Sequence, residues 1–273
     1  MLIGCHVSIA GGVFNAPGRA AEVGCEAMQI FTRSPQGGKA PELTPEVLLN
    51  FESESRKYKI ETTVVHTPFY INFASADNRI RYSTVAIVRD ELERASLLGA
   101  KYVMTHLGSA GTQDENEATE KVIEMLKKTL DGYTGSAELL IENAAGAGKI
   151  MGATFTQISQ ILKAVNHPKL VGICIDTQHS FASGYDWRDF ENTLKQIDSE
   201  IGLENLKLIH ANDSMTELAS RKDRHEHIGK GLIGKKVFQD IVNFAKEKNI
   251  TMILETEYDF VAEDVALLKK LRG

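Results

Sequence analysis

The chain has 273 residues and a mass of 30.1 kDa, with 42% hydrophobic and 25% charged side chains, enough for a substantial core in one large domain or two small ones. Lys plus Arg number 31 against 37 Asp plus Glu, a net charge of −6 and a pI near 5.8, so bulk charge gives no general attraction to nucleic acid or anionic membrane. Cys5, Cys25 and Cys174 are far apart and form no CxxC pair, which argues against a disulfide framework or a thiolate zinc site and for a reduced compartment. The opening MLIGCHVSIAGG has no basic segment before a long apolar run, and nothing later approaches the roughly 18 apolar residues of a membrane span. A soluble cytoplasmic protein without a membrane partner is expected.

Short β-branched apolar runs alternate with segments of helical period from end to end, the pattern of a parallel α/β fold. Strands are predicted at Leu2–Val7, Ala27–Thr32, Thr62–Thr67, Tyr102–Leu107, Glu138–Asn143, Val171–Thr177, Leu206–Asn212 and Thr251–Thr256. Thr44-Pro45-Glu46 opens one helix with a capping hydroxyl and Pro at the first position, and Asp114 followed by Glu117 opens another. Between them, Asp77–Leu98 places Ile80, Val85, Val88, Leu92, Ala95 and Leu98 in an apolar stripe that should pack on the strands. This set predicts a (β/α)8 TIM barrel, a single domain over residues 1–273, with its active site at the C-terminal ends of the strands. An open, doubly wound sheet is the weaker alternative, because the first turn, SIAGGVFNAPG, lacks GxGxxG and a following acidic residue.

The polar residues fall where these strands stop: His66, His106 and Glu142 end the third to fifth, Asp176 the sixth with His179 three residues on, His210 the seventh and Glu255 the eighth. In a barrel those ends converge, so four histidines and three carboxylates share one pocket. The stretch SRKDRHEHIGKG adds Asp223, His225, Glu226 and His227 on a loop that reaches back over the same face. With His6 at the tip of the first strand, only His167 of the 8 histidines, in NHPK, lies elsewhere. So many charged groups in one buried place need cations to offset their desolvation. Imidazole with carboxylate suits Zn2+, and also Mn2+ or Fe2+, and so many candidate ligands call for more than one ion, as many as three. Metals about 3.5–4 Å apart stabilise both entering and leaving oxygens of a phosphoryl displacement, which favours phosphodiester hydrolysis.

GCHVSIAGG, HLGS at His106, LLIENAAG at Glu142, IDTQHSFASGYD at Asp176 and His179, IHANDS at His210, DRHEHIGKG at Asp223 and His225, and ILET at Glu255 together resemble the endonuclease IV family. That family comprises zinc-dependent apurinic/apyrimidinic endonucleases of base-excision repair, and the resemblance spans essentially the whole chain. It implies three zinc ions: one on His66, His106 and Glu142, a second on Glu142 with Asp176, His210 and Glu255, and a third on His179, Asp223 and His225. Glu142, Glu255 and His106 would be the catalytic members. The implied reaction cleaves 5′ to an abasic deoxyribose in duplex DNA, leaving 3′-hydroxyl and 5′-deoxyribose-phosphate ends, with abasic or 3′-blocked DNA as partner and a monomer as the acting species. His6, Asn143, Asn212 and His227 stand where they would orient ligands.

The loops depart from the family pattern. An FTRNPRQW-like stretch reads FTRSPQGGKAPEL, with Gln36, Gly37 and Gly38 in place of a bulky wedge, and HAPYLIN reads HTPFYIN, with Phe69 and Tyr70 for Tyr-Leu. HPGS reads HLGS at Leu107, and Gln178 stands for the usual Cys. Arg33, Gln36, Phe69, Tyr70 and Arg224 are candidate DNA contacts, with Lys39, Arg221, Lys222 and Lys230 as further phosphate contacts. The competing readings are a sugar isomerase or epimerase of the xylose isomerase-like barrel type, which leaves the third ligand group unexplained, and a metal-stabilised DNA-binding protein without turnover.

Overall fold

A computed structural model describes residues 1–273. Eight parallel strands close into a barrel: β1 (Ile3–His6), β2 (Ala27–Ile30), β3 (Thr62–His66), β4 (Tyr102–Thr105), β5 (Glu138–Glu142), β6 (Leu170–Asp176), β7 (Leu206–His210) and β10 (Thr251–Leu254), with β10 pairing β1 to complete the ring. Two short strands, β8 (Asp213–Ser214) and β9 (His225–Glu226), pair antiparallel above it. The outer ring comprises α1 (Ala16–Glu22), α2 (Pro45–Tyr58), α3 (Asn78–Leu97), α4 (Glu115–Leu130), α5 (Phe155–Val165), α7 (Phe190–Ile201), α8 (Lys235–Lys248) and α9 (Val261–Arg272). The short α6 (Thr177–Ser183) starts directly on the end of β6. No helix is long and apolar enough to cross a membrane.

All eight predicted strands are present, with most ends one or two residues shorter than expected because the chain turns as soon as the polar rim begins. The predicted caps also hold, Thr44 accepting from the Val47 amide and Asp114 from Asn116 and Glu117, and Asp77 caps α3 by accepting from Arg79. Along α3, Val88, Leu92, Ala95 and Leu98 of the expected stripe are buried in the core, whereas Ile80 is exposed and Arg81, Glu91 and Arg94 are buried as well. Glu91 accepts from Thr32 and pairs with Arg33, and Arg94 donates to both the Oγ1 and the carbonyl of Thr32. Beside its apolar stripe, α3 therefore turns Glu91 and Arg94 to the polar loop after β2.

Strand alternation sorts the side chains between two compartments. Cys5, Met28, Val65, Val103, Ile141, Ile175, Ile209 and Leu254 point outward into the layer shared with the helices. Ala27, Val64, Met104, Leu140, Cys174, Leu208 and Ile253 point inward and form a separate apolar plug inside the barrel. Two residues further along each strand, the same inward parity brings out Gln29, His66, His106, Glu142, Asp176, His210 and Glu255. The plug thus forms the floor of a polar cup.

Candidate metal centre

The cup contains three contiguous groups of ligand-type side chains, each with its atoms within 4.8 Å of one another: His66, His106 and Glu142; Glu142, Asp176, His210 and Glu255; and Asp176, His179 and His225. Glu142 is common to the first two and Asp176 to the last two. Glu142 is fully buried, with Oε2 3.4 Å from His106 Nε2 and 3.8 Å from His66 Nε2, and Oε1 3.1 Å from His210 Nδ1. His210 Nδ1 also lies 3.0 Å from Glu255 Oε2. Asp223, on the loop before β9, reaches 3.3 Å from His179 Nε2 and 3.4 Å from His225 Nε2. The group expected from His179, Asp223 and His225 therefore assembles, and Asp176 joins it, 3.6 Å from His225 Nε2.

Local structure aims these atoms. Asp176 caps α6 by accepting from the His179 amide at 2.7 Å, which sets His179 one turn above it. His66 donates Nδ1–H to the Thr67 carbonyl at 2.5 Å, and His179 donates Nδ1–H to the Asn143 carbonyl at 3.1 Å, so in each it is Nε2 that faces the cup. Asn143 also clasps the Asp176 backbone through both ends of its amide. Asn212 donates to Asp176 Oδ2 at 2.6 Å and accepts from the Glu255 amide at 2.9 Å. These two asparagines thus bond Asp176 and Glu255, two of the candidate ligands. His227 does not, because its Nδ1 is committed to Asp264 Oδ2 at 2.6 Å, outside the cup.

The sequence reading missed Gln29. It is fully buried at the cup wall, donating Nε2–H to Glu255 Oε1 at 2.6 Å and accepting from His210 Nε2 at 2.8 Å, with Nε2 3.0 Å from His6 Nδ1. The signal was present, since Gln29 shares the inward parity of Ala27.

Electrostatics in the cup favour cations. Burial alone would neutralise Glu142, yet His106 and His210 hold it well below the usual carboxylate range, and Glu255 is held low against burial by His210. Burial likewise opposes charge on His179 and His210, yet the first is held well above 6.5 by Asp176, Asp223 and Glu142, and the second by Cys174, Glu255 and Glu142. Burial wins at His6, which is pushed down to about 4 in spite of Glu255. Three buried atoms, His106 Nδ1, Glu142 Oε2 and His225 Nε2, have no hydrogen-bond partner at all. Two of them, Glu142 Oε2 and His225 Nε2, face other ligand atoms, an arrangement that a bound cation would satisfy. The donor set, imidazole nitrogen with carboxylate oxygen, fits metal binding.

A cavity of about 370 Å3 opens over the cup, with His6, Phe31, His66 and Phe69 on one side and His179 and Asp223 on the other. Phe69 stands at its rim, 67% exposed, edge-on to Phe31 with ring centroids 5.2 Å apart. Tyr70 is exposed beside Gly37, and Gln36 and Arg224 lie exposed on their loops, Arg224 donating to the Asp223 carbonyl at 2.6 Å. Arg33 corrects the sequence expectation. It is buried, and its guanidinium is neutralised by Asp90 and Glu91, so it anchors the loop after β2 and is not free for a phosphate. Gln178 is buried and donates to the Lys222 carbonyl at 2.9 Å and Ser214 Oγ at 3.3 Å, tying α6 to the loop that carries Asp223. A larger hollow, about 580 Å3 between α1 and α2, contains no such grouping of ligand side chains.

Residues 17–271 match the family model described as xylose isomerase-like TIM barrel. The chain is 37% identical over its full length to the probable endonuclease 4 of Halothermothrix orenii, covering 99% of that protein. It superposes on the crystal structure of endonuclease IV from Thermus thermophilus with a TM-score of 0.88 at 31% identity, covering 99% of this chain and 98% of that one. A D-tagatose 3-epimerase-like protein superposes with a TM-score of 0.77 at 22% identity over 99% of this chain and 97% of that one, a likeness of fold alone. With 37% identity over its full length to a probable endonuclease 4 and the fold of a solved endonuclease IV, the chain belongs to the endonuclease IV family.

Proposed function

We propose that this protein is a DNA-repair endonuclease that hydrolyses the phosphodiester 5′ to an abasic site in duplex DNA, leaving 3′-hydroxyl and 5′-deoxyribose-phosphate ends. The observation that carries the reading is the contiguity of the three ligand groups, joined by Glu142 and Asp176, in a chain of this family. Three Zn2+ ions would be held by His66, His106 and Glu142, by Glu142, Asp176, His210 and Glu255, and by His179, Asp223 and His225, and Mn2+ or Fe2+ suits the same donors. When bound, the ions supply Lewis acidity to phosphoryl oxygens and lower the pKa of an attacking water.

The chain's own residues do the rest. Glu142 and Asp176, each reaching two groups, hold the ligand clusters at fixed separations. Phe31 and Phe69 form an apolar wall beside His6 and His66, which limits water on that side of the cavity. The exposed Phe69 and Tyr70 offer faces on which DNA bases stack. Arg224, with Lys39, Arg221, Lys222 and Lys230, supplies exposed cations for phosphates. The epimerase reading shares the fold, but it gives Asp223 no task 3.3 Å from His179 and 3.4 Å from His225.

The test is zinc-loaded protein incubated with a duplex carrying one tetrahydrofuran abasic analogue, which cannot undergo β-elimination. A nick 5′ to the analogue with an extendable 3′-hydroxyl is expected. An intact duplex, with metal bound, would refute the proposal.

A further inference from the structure

We propose that Gln29 is a positioning residue for the ion placed among Glu142, Asp176, His210 and Glu255: it fixes the proton of His210 on Nε2 and occupies one oxygen of Glu255, so that His210 Nδ1 and Glu255 Oε2 are presented together to the cation. This rests on the metal-dependent reading of the site and deepens it.

His210 differs from the other imidazoles of the cup. His66, His179 and His225 direct Nδ1 at the backbone carbonyls of Thr67, Asn143 and Glu255, at 2.5, 3.1 and 3.4 Å, so the fold itself sets their tautomers. His210 faces the ligand group with Nδ1 instead, and its outer nitrogen meets a side chain, Gln29 Oε1, at 2.8 Å. Nothing in the backbone substitutes for that acceptor. An imidazole whose Nε2–H is bonded presents a lone pair on Nδ1, the atom 3.1 Å from Glu142 Oε1 and 3.0 Å from Glu255 Oε2.

The amide at the same time donates to Glu255 Oε1 at 2.6 Å, and its second hydrogen is directed at His6 Nδ1, 3.0 Å away. All three polar functions of the amide are therefore used, and its orientation follows: turned over, it would set NH2 against the His210 N–H and oxygen against the Glu255 carboxylate. Its neutrality matters as well. A carboxylate at this position could accept from His210 but would face Glu255 with like charge in a fully buried place. Only a side chain with donor and acceptor on one head group serves a histidine and a carboxylate together. The inward parity of β2, two residues beyond Ala27, delivers it there.

The experiment compares wild-type protein with Gln29→Met, which keeps length and removes every hydrogen bond. Both are stripped with chelator and titrated with Zn2+ alone against a chromophoric chelator, and His210 of the zinc-loaded proteins is followed by long-range 1H–15N correlation. Expected is a loss of about 10–100-fold in affinity for one ion, with the other two ions held as in wild type, which also shows that the barrel has folded. The wild type should show His210 bound through Nδ1 with a slowly exchanging Nε2–H, and the variant should lose that protection. Three ions bound at wild-type affinity, loss of all three together, or wild-type His210 bound through Nε2 would overturn the proposal. A wild-type protein that takes up no Zn2+ would instead bring down the reading of the site on which it rests.

Discussion

Glu142 sits where two ligand groups meet, fully buried and with one carboxylate oxygen unpaired. Glu142→Gln keeps its shape and removes its charge, so it should cost more than the roughly 10–100-fold that loss of a ligand's hydrogen-bonding partner costs. Turnover on abasic DNA and zinc content measured on the same sample should fall together. Unchanged zinc content would separate the carboxylate from the metal. Without metal, His179 and His210 have pKa values raised above 6.5, so their contribution to stability is fully present below pH 6.5 and is lost as pH rises through the raised values. Glu142 and Glu255 are lowered below 4.5, so theirs is present above pH 4.5 and is lost as pH falls through the lowered values. Calorimetry of chelator-treated protein should therefore show Tm falling as pH rises above 6.5, and added Zn2+ should raise Tm most at the alkaline end. These ligand residues were legible because polar side chains ending apolar strands are costly without a purpose. Gln29 was not legible by type, since a neutral amide in a strand carries no metal signature. Only its parity with Ala27 gave it away.

The strands were legible as elements because buried parallel strands are continuous apolar runs, and two helix starts because Thr44 and Asp114 use side chains to cap backbone amides. Loops obey no such period. Arg33 read as an exposed phosphate contact, and only the approach of α3, with Asp90 and Glu91, shows why it is buried. In the same loop Gly37 has φ +118°, a region that side chains rarely adopt, whereas Gln36 has no such backbone constraint. A wedge is thus better restored one position earlier. Gln36→Trp should tighten binding to abasic duplex by about fivefold or more, the lower end of a base-stacking contact, while Gly37→Trp should bring strain without that gain. Equal affinity of Gln36→Trp and wild type in a gel-shift titration would refute the wedge argument. At the opposite end of the barrel, Glu26 accepts from Arg272 at 2.6 and 2.8 Å and from the Ile3 amide at 3.1 Å, tying α9 to β1. Against the effect of burial, Arg272 and the Ile3 amide lower its pKa to about 2. Glu26→Gln should cost about 1 kcal/mol or less, allowing for solvent screening, or about 2 °C in Tm. That difference should be present above pH 4.5 and fade as pH falls towards 2.

For the molecule as a whole, the net charge of −6 gives no general attraction to nucleic acid, but the three divalent ions proposed above would contribute 3 × 2 = +6 and bring the total to about zero. Composition describes the bare chain, and the proposed substrate meets the chain with its ions. The barrel makes this possible by separating two tasks along each strand: apolar residues close the floor, and the next inward residues form the cup. The most direct test of that account is anomalous diffraction at the zinc edge from crystals of the zinc-loaded protein. Three peaks are predicted, each within about 2.0–2.2 Å of its imidazole and carboxylate atoms, with Glu142 bonded to two of them. A single peak, or peaks away from the cup, would contradict it.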